Sequence, residues 1–134
     1  MTATVHAAIG AGLGALLKDP TKAFVAGVIS HHFTDRMPHR EAPLTLDVPA
    51  VVGFLVFLRF RYGCRSPQLW GALGAIAPDF EHVLARFGVL GKEERYFTTH
   101  RNKGELHGSE RAGCANQVVA AFLGGFLAEA CSRR

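Results

Sequence analysis

The chain lacks any run of about 20 predominantly apolar residues, the length a helix needs to cross a bilayer. Its longest stretches free of Asp, Glu, Lys and Arg are sixteen residues each: Thr2–Leu17, interrupted by His6, and Gly113–Ala128, which contains Asn116 and Gln117. Val48–Leu58 offers eleven such residues and Ser66–Pro78 thirteen. The charge asymmetry of a polytopic protein is missing as well. If five spans are assumed, eight of the fifteen Lys and Arg fall on one side and seven on the other, whereas inserted proteins gather them on the cytoplasmic side. A soluble or peripherally attached helical bundle is therefore expected, with a short-span membrane protein as the alternative.

Cysteine is scarce. Cys64, Cys114 and Cys131 form no CxxC pair, and an odd number leaves one outside any disulfide scheme. That usage predicts a reducing compartment and small, half-buried thiols. A charged n-region and a small-residue cleavage site are also lacking, so no secretory signal is expected. The expected location is cytoplasmic, either free or attached to the membrane.

Basic tracts are absent too. The net charge is +4 and the pI about 9.3, but Lys and Arg are scattered through the connecting stretches. No basic run interleaves with aromatics, and no helix-turn-helix or zinc-finger spacing occurs. Nucleic acid is not an expected partner, whereas mild attraction to an anionic lipid surface is.

What is present is apolar bulk in a short chain. The 134 residues are 49% hydrophobic, enough for one core and a single domain over 1–134. Residues 3–17 read as a helix packed closely through Gly10, Gly12 and Gly14, with Gly10 and Gly14 in GxxxG spacing. Asp19 and Pro20 open a second helix over 21–36. Residues 40–46 read as loop, and Asp47 with Pro49 opens a third helix to Tyr62. Ser66 and Pro67 start a fourth that reaches Phe87. Residues 88–110 are polar and punctuated by glycine, with a short helical turn at 92–98, and a last helix covers 111–131. The fold class is all-α, a compact bundle of about five helices.

The chemistry lies in four places. In Ser30-His31-His32-Phe33-Thr34-Asp35-Arg36-Met37-Pro38-His39, His31 and Asp35 are four apart and share a helix face, and His39 follows at the same interval. An imidazole and a carboxylate aimed the same way form the mixed N/O set that zinc or another first-row ion accepts. The bland reading of the pair is a surface tie that supports the helix. In Ala77-Pro78-Asp79-Phe80-Glu81-His82, Asp79 and His82 share a face at i, i+3. They stand at the end of an apolar stretch, where an ionised carboxylate is costly unless paired. Glu81 points elsewhere and reads as a surface or supporting group. His100 and His107 bracket a polar loop, and His107 with Glu110 repeats the i, i+3 spacing. Polar loops are common without function, but loops also carry sites more often than cores do. His6, alone in an Ala/Gly helix, reads first as a core histidine that needs a partner.

Together, His6-x-x-x-Gly10, Ser30-His31-x-x-x-Asp35-x-x-Pro38-His39, Pro78-Asp79-x-Glu81-His82 and His100-Arg101…His107 resemble the motifs of the bacterial membrane-bound, metal-dependent hydrolase family (YdjM-like). That group is similar in turn to the zinc-dependent phospholipase C and nuclease superfamily of helical proteins. The resemblance covers residues 4 to about 110. It implies His6, His31, Asp35, His39, Asp79, His82, His100 and His107 as a shared metal-binding set, and it implies membrane association.

The resulting expectation is a hydrolase that uses a divalent metal, zinc first, on a phosphoester, with a lipid headgroup suggested by family analogy. Asp79 or Glu110 would accept the proton. The competing expectation is a non-catalytic, membrane-associated helical protein whose His/Asp pairs are interhelical ties or a closed metal site.

Overall fold

A computed structural model describes residues 1–37, 39, 42–81, 84, 88, 89, 91 and 110–132, with the backbone alone at 110–112. Among them the chain is all-α, with five helices and no strand. Helix α1 spans Ala3–Leu17, α2 Pro20–Thr34, α3 Leu44–Tyr62, α4 Pro67–Ile76 and α5 Glu110–Ala130.

The boundaries follow from local chemistry. Helix α1 ends at Lys18, whose left-handed backbone (φ 57°) lets its N–H bond the Gly14 carbonyl. Asp19 then caps α2 by accepting from the Lys22 N–H at 2.8 Å, and Pro20 occupies the first turn, where its missing N–H costs nothing. Ser66 and Pro67 start α4 in the same way.

Two boundaries differ from expectation. Helix α3 begins at Leu44, three residues ahead of Asp47, and takes Pro49 into its interior. Asp47 is free to do so because its carboxylate serves another helix. It accepts from the N–H groups of Ala3 (2.8 Å) and Thr4 (3.2 Å) and from the Thr4 hydroxyl (2.8 Å), so it caps α1. The fourth helix stops at Ile76 rather than running on to Phe87, and a 3-10 turn over Ala77–Asp79 follows. Pro78 has no N–H, and its ring crowds the carbonyl four residues back, which ends the α pattern there. Phe80, Glu81 and Leu84 resume helical backbone. The expected turn at 92–98 lies outside the described residues.

Successive helices alternate in direction around a central α1, which touches all four others. Helices α1 and α4 approach backbone to backbone. A Cβ added at Gly10 would overlap the Gly71 carbonyl, and one at Gly14 would overlap the Pro67 carbonyl. The GxxxG spacing thus serves close packing, here between helices of one chain.

This contact through small residues turns the usual size distribution inside out. Among the described residues the buried apolar ones are chiefly alanines (Ala7, Ala11, Ala23, Ala72, Ala75), while the largest fully buried side chains are Leu58, His6, His31 and Pro78. Large apolar groups sit outside: Val25, Ile29 and Phe33 on α2, Phe57 and Phe60 on α3, and Phe122 and Phe126 on α5. No helix of the described residues is long and apolar enough to cross a membrane. Cys64 and Cys114 are exposed, so the expectation of half-buried thiols holds for Cys131 alone.

Candidate metal centre

One end of the bundle brings two histidines and two carboxylates together. His6 comes from the second turn of α1, His31 from the last turn of α2, Asp35 from the residue after it, and Asp79 from the 3-10 turn that follows α4. Alternating helix direction brings these together, because α1 begins where α2 and α4 finish. Both imidazoles are fully buried, at 1% and 0% exposure. Groups of that polarity need partners in such surroundings.

The partners are arranged by ring nitrogen. Nδ1 of His31 donates to the Ala75 carbonyl at 2.8 Å, and Nδ1 of His6 lies 3.0 Å from the Thr34 hydroxyl. The two Nε2 atoms are left on the side of the carboxylates. His6 Nε2 is 3.0 Å from Asp35 Oδ1, and His31 Nε2 is 3.3 Å from Asp35 Oδ2 and 3.9 Å from Asp79 Oδ1. The rings stack on each other. Asp35 also meets the Met1 α-amino group at 3.3 Å, and Oδ2 of Asp79 is shut off from solvent.

Electrostatics separate the two histidines. Burial pulls His6 down to about 4, against the hydrogen bond to Asp35, and the neighbouring His31 lowers it further. Burial also pulls on His31, but there the hydrogen bond to Asp35 and the charges of Asp79 and Asp35 prevail, and its pKa is raised.

Among the described residues, His6, His31 and Asp79 form a group able to hold a metal ion, with one ligand atom from each lying within 4.8 Å of the others. Two nitrogens and one oxygen match the donors of three-ligand zinc sites. Bonds of about 2.0–2.1 Å in tetrahedral geometry place ligand atoms roughly 3.4 Å apart, and the 3.9 Å between His31 and Asp79 is close to that spacing. The Nδ1 bonds are the outer support that ligating histidines ordinarily carry.

Of the sequence-derived candidates, His6, His31, Asp35 and Asp79 come together. His39 is buried, but its Nδ1 donates to the Met37 carbonyl at 2.8 Å, and it is not in that group. His82, His100 and His107 lie outside the described residues, as does the side chain of Glu110. Glu81, read as a surface or a supporting group, is buried at 7%, which removes the first of these. Thr34, the Ala75 carbonyl and the Met1 amine were missed by sequence reasoning. Thr34 stands at i+3 from His31, but no spacing rule links it to His6. A cleft lined by Tyr62, Arg65, Gln68 and Ser132 opens at the opposite end of the bundle, away from this chemistry.

Compared with known protein families, curated proteins and solved structures, the chain matches none.

Proposed function

We propose that the chain is a divalent-metal-dependent hydrolase, zinc being the ion its donors favour, acting on a phosphoester at a lipid surface. The observation that carries this reading is the convergence of two buried imidazoles, each held through Nδ1, on the Asp79 carboxylate. When bound, a divalent ion supplies Lewis-acid polarisation of a phosphoryl oxygen and acidifies water. In this reading His6, His31 and Asp79 hold the ion, and Asp35, whose two oxygens face both Nε2 atoms, would join them as a further ligand. Asp79 is the less buried carboxylate, at 25% against 12% for Asp35, and we assign proton acceptance to it. Membership of the YdjM-like family, with His39, His82, His100 and His107 in the same set, is part of this proposal.

The lipid surface is supported by what flanks the site. Phe33 lies between His31 and Asp35 in sequence and is 62% exposed, and Phe80 follows Asp79 and is 58% exposed. Large apolar side chains cover several faces of the bundle rather than one patch. Exposed apolar groups of this size mark contact with a partner or a membrane.

A second reading is favoured by one distance. The 3.0 Å between His6 Nε2 and Asp35 Oδ1 is hydrogen-bond length, shorter than ligand spacing, as in a tie between helices. Element-resolved metal analysis separates the readings. The hydrolase reading expects stoichiometric divalent metal in the wild type, its loss in both His31→Ala and Asp79→Ala, and phosphodiesterase activity that returns when metal is restored. A wild type that purifies metal-free and gains no thermal stability from added zinc supports the tie.

A further inference from the structure

We infer that Thr34 is a positioning residue: it accepts the Nδ1 proton of His6 when a divalent ion takes the Nε2 lone pair of that ring. The inference rests on the metal-site reading.

A hydroxyl has one hydrogen to give and two lone pairs with which to accept. Thr34 Oγ1 has three neighbours: the Ser30 carbonyl at 2.9 Å, the His31 carbonyl at 3.2 Å and His6 Nδ1 at 3.0 Å. Carbonyl oxygens only accept. If the hydroxyl gave its hydrogen to His6, two oxygens would face each other at 2.9 Å with no proton between them. The hydrogen therefore goes to the helix carbonyls, as it commonly does for threonine inside a helix. The hydroxyl oxygen is then left to accept, and it can take the Nδ1–H of His6.

His31 reaches the same state by a different route, since its Nδ1 faces the Ala75 carbonyl, which can only accept. Each ring thus has an acceptor at Nδ1, the arrangement that leaves Nε2 to an ion. Without an ion, the 3.0 Å contact to Asp35 Oδ1 holds the His6 proton on Nε2. An ion at Nε2 moves that proton to Nδ1, where the Thr34 oxygen accepts it. Thr34 touches neither carboxylate by any contact described above; it acts through His6.

The test has two independent readouts. Long-range proton–nitrogen correlation of the histidine rings in zinc-loaded wild type, above pH 7, reads the tautomer directly. Nδ1–H on His6 with Nε2 bound to zinc is expected, and His6 bound through Nδ1 overturns the inference. Zinc affinity, measured by competition with a chromophoric chelator, is then compared among wild type, Thr34→Val and Thr34→Ser. Removing an outer-shell partner of a ligating histidine typically costs 10–100-fold in metal affinity. A loss of that order is expected for valine, with serine restoring affinity. Valine binding zinc as tightly as wild type overturns the inference. The metal-site reading fails separately, if His31→Ala and Asp79→Ala bind zinc like wild type. The ring correlation in wild type judges Thr34 even if Thr34→Val does not fold.

Discussion

The imidazoles of His6 and His31 stack with centroids 4.1 Å apart and planes 26° from parallel, yet their surroundings push them in opposite directions. His6 is drawn down to about 4 from 6.5, and His31 is raised from 6.5. Asp35, Asp79 and the Met1 ammonium face the pair. In metal-stripped protein the two shifts give opposite linkage. A lowered folded pKa contributes stability that is complete above 6.5 and lost as pH falls towards 4, roughly 3 kcal/mol for His6. A raised one contributes stability that is complete below 6.5 and lost as pH climbs through the folded value. Thermal unfolding in chelator should therefore peak near pH 6.5. His6→Gln should flatten the acid limb and His31→Gln the alkaline one. A profile indifferent to both substitutions rules this account out.

The parts of this site that were legible in the sequence are those set by one helix. His31 and Asp35 sit four apart, and their side chains do meet at 3.3 Å. The helix starts at Asp19-Pro20 and Ser66-Pro67 were legible because capping is local. What could not be read was which helix a polar group serves. Asp47 looks like the start of its own helix, but it caps α1, more than forty residues away in sequence. His6 likewise gives no local sign of meeting Asp35, because their contact depends on how tightly α1 and α2 pack.

Asp47 therefore has a measurable role. Its carboxylate satisfies two N–H groups at the start of α1, the helix that carries His6. Replacing a capping carboxylate by alanine costs about 0.5–2 kcal/mol. Asp47→Ala should lose stability in that range by chemical denaturation, and Asp47→Asn, which keeps an acceptor oxygen, should lose less. Equal losses in the two variants would mean that charge, not capping, carries the effect.

The exposed aromatic side chains should reveal what covers them. Phe60 is 82% exposed on α3 and Phe122 is 72% exposed on α5. If lipid covers both, the protein should float with vesicles containing anionic lipid. Burying a phenylalanine is worth about 1.5–3 kcal/mol, so Phe60→Glu or Phe122→Glu should each weaken vesicle binding by about tenfold or more. Thermal stability should stay near wild type, since neither ring is buried in the bundle. Wild type that stays in the lipid-free fraction at low salt removes the lipid surface from the proposed function.

The glycines give a prediction with two signs. At Gly71 an added methyl would strike the Gly10 carbonyl, and at Gly124 it would strike the Ala8 carbonyl. A backbone oxygen cannot rotate aside as a side chain does, so the helices must separate. Overpacking of this kind costs about 1–3 kcal/mol, and Gly71→Ala and Gly124→Ala should each lower the unfolding midpoint by several degrees. At Gly53 and Gly125 a methyl meets nothing within 4 Å, and both residues lie inside helices. There only helix propensity acts, favouring alanine by up to about 1 kcal/mol, so Gly53→Ala and Gly125→Ala should be neutral or stabilising. Gly71 also adjoins Gly27 on α2, the helix that carries His31. Separation there would pull His31 away from the Ala75 carbonyl, so Gly71→Ala should weaken zinc binding along with stability, while Gly53→Ala should leave it unchanged. Gly71→Ala with full stability and full zinc affinity would mean that these helices are not in backbone contact.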